Sequence, residues 1–365
     1  MTELLKDMFF TQTSINEMAD ILKKYYPAFD KEKFISLVFD DTFGTKKLKE
    51  KMRHTTQCLH ETLHKSFEEA LDILKKAAPY IKGFEAMTLP DYVELYGMEN
   101  WGLSLPALGY FTKFASSEFA IRPFIANDPE RAMAYMSTWA EDEDPKVRRF
   151  ASEGCRPRLP WAMALPVFKK DPSLILRILE KLKNDESDFV KKSVANNLND
   201  ISKDNPEVVL DVCEQWYGHS KNIDQIVKHG CRTLLKSGNK RALLLFGFCD
   251  PKNLHVENLK LNKKTVAIGE NVHFSFELIV KEKKTSKIRL EYCVYYVKSG
   301  GKLSKKVFQI IEKNYKPGKH LVSRKQTFQN MSTRKHYPGI HQILIIVNGV
   351  EMEKVSFKLL QKDSN

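Results

Sequence analysis

The sequence predicts a multidomain fold in which an α-helical repeat array is followed by a small β-sandwich. Up to about residue 250 the apolar residues recur at helical spacing, and beyond it they alternate with polar residues as in half-buried strands. The charge divides at the same place. Residues 256–365 hold 22 Lys and Arg against 9 Asp and Glu, whereas residues 1–255 hold 37 of each. We therefore expect a helical domain over residues 1–255 and a basic sandwich over residues 256–365.

Length and composition place the chain among globular proteins. Its 365 residues, 42% of them hydrophobic, are enough for two cores. No apolar run reaches the ~20 residues of a membrane span, and the start, MTELLKDMFF, lacks the features of a signal peptide. We expect a cytoplasmic monomer with no membrane partner. The six cysteines are scattered without CxxC spacing, which indicates neither a disulfide framework nor a cysteine zinc site: Cys58, Cys155, Cys213, Cys231, Cys249 and Cys293.

Residues 1–80 have the pattern of helices. From His54 to Lys76, apolar residues recur every three or four positions and form one helical face: Leu59, Leu63, Phe67, Ala70 and Leu74. Pro79 and Gly83 follow this segment and stop it. The spacing therefore predicts one long helix from His54 to Lys76.

The segment His60-Glu61-Thr62-Leu63-His64 within that helix matches the H-E-x-x-H pattern of zinc proteases. A zinc hydrolase also needs a third ligand, for which Glu85 and Glu94 are candidates. A five-residue pattern with two free positions often arises by chance, and histidines beside a buried stripe are the favoured interpretation. No Walker loop, GxSxG or dinucleotide fingerprint occurs, and we predict neither a metal nor another cofactor.

An internal repeat begins near residue 100. Three cap-and-proline pairs each open a helix, at intervals of 43 and 34 residues: Asp128-Pro129, Asp171-Pro172 and Asn205-Pro206. A second helix is predicted after each, starting at Val147, Val190 and Val227. Helix pairs at roughly this period are typical of a HEAT-like solenoid. The alignment makes Glu153, Asn196 and Thr233 equivalent positions.

Basic residues cluster at the starts of the second helices. The pairs Arg148-Arg149 and Lys191-Lys192 occupy successive helix starts, an arrangement that suits a phosphate backbone. The helix that opens at Asp144-Pro145 is predicted to end at Gly154, and Arg156, Arg158 and Trp161 follow it. A carboxylate among these cations, that of Glu153, is unexpected in a pure phosphate site and indicates a task that involves positive charge. The alternative is an ordinary solvated helix end with a tryptophan in the core.

After Pro251 the alternation predicts about seven strands and a sandwich. It is clearest in three runs: Val272 to Leu278, Ile288 to Val294, and Val355 to Leu359. Turns are predicted at Lys316-Pro317-Gly318 and Asn348-Gly349. Basic turns at Lys281–Lys287, Lys298–Lys306 and Arg324–Lys335 include the predicted DNA contacts Lys302, Lys305, Arg334 and Lys335. Without a basic amphipathic helix, this charge favours nucleic acid over a membrane surface as the partner.

Three segments carry a resemblance to a known family: Trp101 to Phe124 (WGLSLPALGYFTKFASSEFAIRPF), DPKVRRFASEGCRPRLPW and VANNLND. They resemble the AlkC-type DNA alkylation repair glycosylases, relatives of the AlkD-type HEAT-repeat glycosylases. The sandwich is similar to the immunoglobulin-like domain that some AlkC proteins carry. The resemblance implies a monofunctional glycosylase that removes cationic 3-methyladenine and 3-methylcytosine from duplex DNA. It also implies that the damaged nucleotide is not extruded into a pocket, unlike in most glycosylases.

The resemblance also implies the site residues. The family pattern puts catalytic carboxylates at Glu118 and Glu153, and Trp161, Asp200, Arg149 and Arg156 complete the DNA-facing site. Because a methylated base is already cationic, the enzyme mainly stabilises the sugar as it becomes an oxocarbenium ion and orients a water, and carboxylates do both. Asn196 departs from the aromatic expected in AlkD-type relatives. A non-catalytic HEAT scaffold and the zinc hydrolase stay open as alternatives.

Overall fold

A computed structural model of the protein describes residues 8–331 and 334–361. The chain divides into two compact units, Met1–Gly230 and Cys231–Asn365. This division falls upstream of the boundary predicted after residue 255, because two short helices group with the strands. Within the second unit, the main-chain N–H of Cys249 donates to the carbonyl of Lys287, and Lys287 Nζ donates to the carbonyl of Phe246.

The described part of the first unit contains fourteen α-helices. They are α1 (Gln12–Tyr25), α2 (Lys31–Val38), α3 (Leu48–Leu63), α4 (Phe67–Ala77), α5 (Thr88–Tyr96), α6 (Trp101–Phe111), α7 (Arg122–Asn127), α8 (Pro129–Trp139), α9 (Pro145–Gly154), α10 (Pro166–Lys170), α11 (Ser173–Leu182), α12 (Asp188–Ile201), α13 (Pro206–Trp216) and α14 (Lys221–Gly230). No described helix combines the length and apolarity needed to cross a bilayer. The predicted helical start of the chain is confirmed from residue 12 onward, whereas residues 1–7 lie outside the described residues.

The cap-and-proline pairs at Asp128 and Asp144 begin helices as predicted, whereas at Asp171-Pro172 the proline is the N-cap residue and α11 begins at Ser173. Asp128 accepts a hydrogen bond from the N–H of Arg131 at the start of α8, and Asp144 accepts one from Lys146 at the start of α9. Each proline that follows occupies the first helical position, where its missing N–H leaves no partner unsatisfied. The second helices then pack side by side, α9 against α12 and α12 against α14. This stacking of helix pairs is the predicted HEAT-like array.

The prediction of one helix from His54 to Lys76 is wrong. α3 ends at Leu63, and His64 takes a left-handed backbone conformation with φ of 48°. Ser66 then begins α4, because its side chain accepts from the N–H of Glu69 while the Glu69 carboxylate accepts from Ser66. This reciprocal capping box is a strong signal for the start of a new helix. The helix is broken there, but the apolar residues keep their helical spacing across the break.

The predicted helix start at Val227 is also wrong. α14 begins six residues earlier, at Lys221, because the Ser220 hydroxyl accepts from the N–H of Ile223. Val227 is therefore near the end of α14, and Thr233 lies in a different helix and in the second unit. Thr233 does not occupy a position equivalent to Glu153.

The second unit contains α15 (Arg232–Lys236), α16 (Lys240–Leu245) and eight described strands. The strands are β1 (Leu254–Leu261), β2 (Thr265–Ala267), β3 (Asn271–Val280), β4 (Ser286–Val297), β5 (Leu303–Tyr315), β6 (Gly318–Thr327), β7 (Gly339–Val347) and β8 (Val350–Leu360). They form a three-stranded sheet in the order β1-β3-β6 and a five-stranded sheet in the order β2-β8-β7-β4-β5. Neighbouring strands are antiparallel except for the parallel pair β2 and β8.

The alternating residues of both sheets share one core. Phe274 and Phe276 of β3 pack in the same buried cluster as Leu290 of β4 and Phe357 of β8. The turn at Asn348-Gly349 joins β7 to β8 with φ of 45° and 77°, the double positive φ that a tight hairpin turn requires. The helical array followed by a sandwich confirms the predicted fold class.

Candidate active site

The packing of α9 against α12 brings two carboxylates to one buried guanidinium. Arg156 follows α9, and its Nη1 lies 2.6 Å from Oε1 of Glu153, while its Nη2 lies 2.8 Å from Oδ2 of Asp200. All three residues are at least 93% buried: Glu153 is 6% exposed, Arg156 7% and Asp200 2%. Charges so buried are stable only when they are paired, and here each one is.

A second arginine extends this arrangement to Glu118. Arg149 Nη1 bonds Oε2 of Glu118, and its Nη2 lies 3.4 Å from Oε1 of Glu153. We call the five residues Glu118, Arg149, Glu153, Arg156 and Asp200 the carboxylate-arginine chain. Of the residues predicted for the site, it unites three carboxylates and two arginines from three parts of the sequence.

Neighbouring side chains hold the carboxylates in place. The Ser116 hydroxyl donates to Oε2 of Glu118 at 2.6 Å, and the Ser193 hydroxyl donates to Oε2 of Glu153 at 2.6 Å. Lys203 Nζ donates to Oδ1 of Asp200 at 3.0 Å. Sequence reasoning missed these three residues. Ser116 stands two residues before Glu118 and could have been noticed, whereas Ser193 faces Glu153 only through the packing of α12 on α9.

The carboxylates beside Arg156 keep its guanidinium charged. Burial by itself would lower the pKa of Arg156, but the carboxylates of Glu153 and Asp200 outweigh burial, and the pKa is raised. The carboxylate-arginine chain has three carboxylates and two guanidiniums. The ammonium of Lys203 balances the remaining negative charge. Carboxylates fixed in advance by hydrogen bonds are the groups that stabilise a developing positive charge in enzyme sites.

Trp161 lies at the surface, and the interpretation of it as a core residue is wrong. Its side chain is 65% exposed, whereas Trp101, Trp139 and Trp216 are buried. Its backbone is left-handed with φ of 64°. Lys49 of α3 donates from Nζ to the Trp161 carbonyl at 2.9 Å. The segment after α9 thus carries both Arg156 of the chain and an indole that faces solvent.

An exposed aromatic residue of α12, Phe189, lies beside the carboxylate-arginine chain. Phe189 is 51% exposed, and the centroid of its ring lies 4.8 Å from Cζ of Arg149. Arg149 is therefore held between a carboxylate and an aromatic face, the combination that fixes a guanidinium plane. Phe189 was not singled out by sequence analysis, although it precedes the basic pair Lys191-Lys192.

The other cations predicted to bind DNA from the helical array differ in their surroundings. Two nitrogens of Arg148 bond the carboxylate of Asp185, at 2.6 and 3.0 Å, and this bond raises the pKa of Arg148. Arg158 makes a similar double contact with Asp204, at 2.6 and 2.9 Å. Lys191 lies 2.9 Å from the exposed carboxylate of its neighbour Asp188, and Lys192 is exposed. A role of these four cations in DNA binding stays a prediction.

Three of the four cations predicted in the second unit, Lys305, Arg334 and Lys335, line a cleft of about 520 Å³. Arg334 stacks on the ring of Tyr296 at 5.1 Å, and Lys305 pairs with Glu351. Lys305 lies in β5 and not in the predicted turn, because the strand begins at Leu303. Lys302 is exposed in the turn but does not line the cleft. The residues that line it are Tyr296, Val297, Lys298, Ser299, Ser304, Lys305, Lys306, Arg334, Lys335 and Tyr337. Positions 332–333 of the predicted turn Arg324–Lys335 lie outside the described residues.

The histidines of the HETLH segment are engaged in other contacts. Nδ1 of His60 lies 2.9 Å from the Tyr92 hydroxyl, and its ring stacks on Tyr96 at 3.7 Å. Burial lowers the pKa of His60. His64 follows the end of α3 in its left-handed conformation and is not part of the same helical face as His60.

The candidate third zinc ligands are also occupied. Glu85 is buried and accepts from the N–H of Phe10 at 2.6 Å, while Glu94 pairs with Arg53 at 2.6 Å. Among the residues that the structure describes, no group of three His, Cys, Asp or Glu side chains is placed to hold a metal ion. The donor geometry therefore does not fit the zinc hydrolase alternative.

Comparison with known proteins identifies both domains. Residues 112–237 match the family described as "DNA alkylation repair enzyme". Residues 255–361 match the family described as "Uncharacterised protein YhaZ, C-terminal Ig-like domain". A helical-repeat domain of this kind joined to an immunoglobulin-like sandwich defines a DNA alkylation repair protein.

Two relatives match almost the whole chain. Protein YhaZ of Bacillus subtilis (strain 168) is 42% identical over 97% of this chain and 99% of its own length. The structure of the Pseudomonas fluorescens alkylpurine DNA glycosylase AlkC, bound to DNA containing an abasic site analog, is 36% identical. It covers 98% of this chain and 100% of its own, with a TM-score of 0.92. The chain belongs to the AlkC family of DNA alkylation repair glycosylases, and the resemblance inferred from the sequence is confirmed.

Proposed function

We propose that this protein is a monofunctional DNA glycosylase that acts as a monomer on 3-methyladenine and 3-methylcytosine in duplex DNA, without turning the damaged nucleotide out of the helix. One observation carries the proposal. Three carboxylates, those of Glu118, Glu153 and Asp200, are joined through two arginines in a protein whose family relative AlkC was solved with abasic-site DNA. Carboxylates oppose the binding of a polyanion, and their presence is explained by a positive charge that forms during the reaction.

The chemistry suits cationic N3-methylated bases. Such a base leaves as a neutral molecule without being protonated, so no general acid is required. Glu118 and Glu153 would stabilise the deoxyribose as it becomes an oxocarbenium ion, and one of them would orient the attacking water. Asp200 shares Arg156 with Glu153 and would complete the negative side of the site.

The arginines would connect the carboxylates to the DNA backbone. Arg149 retains 16% exposure and lies against the exposed ring of Phe189, which places its guanidinium at the edge of the site. A guanidinium has five N–H donors, enough to bond a carboxylate and a phosphate at the same time. The cations of the second unit would add sequence-independent contacts to phosphates.

The solvent-facing indole of Trp161 supports catalysis without base flipping. Trp161 is 65% exposed, so its ring would present a face to a cationic base or sugar at the DNA surface. Such a contact contributes ~0.5 to 2 kcal/mol. Flipping enzymes instead enclose the extruded base between side chains in a pocket.

The decisive experiment is a base-release assay. Single-stranded DNA is treated with a methylating agent, annealed to its complement and incubated with the protein, and free 3-methyladenine and 3-methylcytosine are measured by mass spectrometry, with untreated DNA as the control. We expect both bases in the supernatant and abasic sites in the DNA. DNA binding without base release would instead support the non-catalytic scaffold.

The absence of base flipping needs a separate measurement. 2-Aminopurine placed next to a 3-methylated-base analogue fluoresces strongly when its neighbour leaves the stack. We expect no more than a small rise in fluorescence when the protein binds. A rise comparable to that produced by a flipping glycosylase would contradict this part of the proposal.

A further inference from the structure

The backbone of Trp161 is in a conformation that its own chemistry disfavours. A residue with a Cβ atom meets steric conflict in the left-handed region, and a bulky side chain at φ of 64° is rare. Such a conformation persists only where the surroundings fix it. The exposed indole makes little packing contribution of its own, so the fixing contacts must act on the main chain.

Arg122 supplies contacts of this kind from inside the fold. Its side chain is fully buried, and Nη1 donates to the carbonyls of Gly154 and Arg156, each at 2.9 Å. Its Nε donates to the carbonyl of Met163 at 2.7 Å. These carbonyls lie at both ends of residues 154–163, the segment that contains Trp161. Burial lowers the pKa of Arg122 to about 10, so the guanidinium stays protonated at neutral pH.

Lys49 supplies a second contact from the N-terminal helices. Its Nζ donates to the carbonyl of Trp161 at 2.9 Å and lies 4.4 Å from the ring centroid of Phe119. Phe119 is the neighbour of Glu118. Lys49 lies outside residues 112–237, the region that matches the DNA alkylation repair family. One side chain of α3 thus touches both the tryptophan segment and the residue beside a proposed catalytic carboxylate.

We propose that Arg122 and Lys49 are positioning residues that hold residues 154–163 in the single backbone conformation in which the Trp161 indole faces the DNA. Arg122 fixes the two ends of the segment, and Lys49 holds the carbonyl of Trp161 itself. The proposal rests on the function proposed above, in which Trp161 contacts the cationic base or sugar. Neither residue touches the substrate, and both act through the orientation of the indole.

The first test measures the mobility of the Trp161 indole by its fluorescence and does not depend on enzymatic activity. Trp161 is exposed while the other three tryptophans are buried, so subtracting the signal of a Trp161→Phe variant isolates its fluorescence. Arg122→Lys keeps the charge, but a single ammonium cannot reach three carbonyls at the two ends of the segment. We expect the fluorescence anisotropy of Trp161 to fall in Arg122→Lys and in Lys49→Met. Unchanged anisotropy in both variants would overturn the proposal.

The second test is a double-mutant cycle on single-turnover base release. Arg122→Lys should slow release roughly 10-fold or more, and the double variant with Trp161→Ala should be no slower than Trp161→Ala alone. Affinity for DNA with an abasic-site analogue should change less than twofold in Arg122→Lys. If the two substitutions slow release by the product of their separate factors, Arg122 does not act through Trp161 and the proposal fails.

Controls separate positioning from loss of the fold. Lys82→Met is matched to Lys49→Met, because exposed Lys82 also donates to a main-chain carbonyl, that of Pro79, at 2.6 Å. It should leave anisotropy and release unchanged. If Arg122→Lys does not fold, both the anisotropy and the double-mutant cycle are measured with Lys49→Met instead. If the wild-type protein releases no base from any methylated DNA, the proposed function fails, whereas the anisotropy result still decides whether the two residues fix the indole.

Discussion

Arg156 reaches Asp200 with two nitrogen atoms, Nε at 2.9 Å and Nη2 at 2.8 Å, across 44 residues of sequence. The contact ties the end of α9 to the end of α12, and both side chains are buried. Arg158, two residues further on, makes a similar double contact with Asp204 at the surface. Both nitrogens of Arg156 contact Oδ2 of Asp200, whereas those of Arg158 contact the two oxygens of Asp204, and the second pair is far more exposed to water.

The difference in exposure predicts a difference in stability. Arg156→Met leaves buried carboxylates without their main partner and should lower the free energy of unfolding by about 3 kcal/mol. The loss lies at the low end of the range for buried pairs, because Arg149 and Lys203 retain contacts with those carboxylates. Arg158→Met should cost at most ~1 kcal/mol. Urea unfolding of both variants measures this, and equal losses would contradict the interpretation.

The surface pair predicts a dependence on pH. The hydrogen bond from Arg158 holds the pKa of Asp204 below its ordinary value. A carboxyl whose pKa is lowered by folding stabilises the protein above its unfolded pKa of ~3.9 and loses that contribution as pH falls through the folded value. Asp204→Asn should therefore be less stable than wild type near neutral pH, and the gap should close below pH ~3.9. A gap that widens on acidification would exclude this account.

Metal removal should not affect activity. His60 is bonded to Tyr92 and stacked on Tyr96, and His64 lies beyond the helix end. We expect the rate of base release to be the same with EDTA as without it, and His64→Ala to retain that rate. Loss of activity with EDTA that is restored by added zinc would overturn the prediction.

The cations in and beside the cleft of the second unit should control the salt dependence of DNA binding. A full-length variant with Lys302, Lys305, Arg334 and Lys335 changed to Gln should bind more weakly. The slope of log K against log salt should flatten by about 0.9 for each phosphate that the variant no longer neutralises, and so by up to ~3.6. Fluorescence anisotropy of labelled duplex DNA across a salt series gives this slope.

A variant with equal charge loss away from the cleft is the control for that measurement. Lys260, Lys263, Lys264 and Lys325 are also exposed, and Lys260 and Lys325 lie on β1 and β6. Changing these four to Gln should alter the slope less. If both variants flatten the slope equally, the attraction comes from the net charge of the unit and not from the cleft.

Local signals explain which helix ends could be predicted. The Asp-Pro pairs that begin α8 and α9 are complete within a few residues, and both starts are predicted correctly. The break at His64 escapes prediction because Leu63 and Phe67 continue the apolar spacing across it. Its signal is also local, the Ser66 to Glu69 capping box, but the unbroken helical periodicity masks it.

The site was predictable only where sequence neighbours or family resemblance defined it. Glu118 rests on the resemblance alone, whereas Glu153 is also indicated by the cations that surround it in the sequence. The bond from Ser193 to Glu153 and the pairing of Arg148 with Asp185 arise from packing between repeats. Helical spacing determines which face a residue occupies but not which residue of the next repeat it meets, so these partners could not be derived from the sequence.

Glu118 and Glu153 are expected to act on the chemical step more than on DNA binding. Glu→Gln keeps the shape of each side chain and removes its charge. If these carboxylates stabilise a charge that exists only in the transition state, each substitution should slow single-turnover release by roughly 10²-fold or more, the ~2.7 to 4 kcal/mol typical of one electrostatic stabiliser. Affinity for DNA with an abasic-site analogue should stay equal or increase, because a negative charge next to a polyanion has been removed.

Glu141→Gln provides the matched control for both variants. Glu141 is also a carboxylate of the repeat array and is also paired with a cation, with Lys181 Nζ at 2.6 Å, but it is 66% exposed and lies outside the carboxylate-arginine chain. Its substitution should change neither release nor affinity. Weaker DNA binding with an unchanged rate of release in Glu118→Gln and Glu153→Gln would instead make both residues structural, since a group that acts on the ground state alone changes affinity and leaves the chemical step as it was.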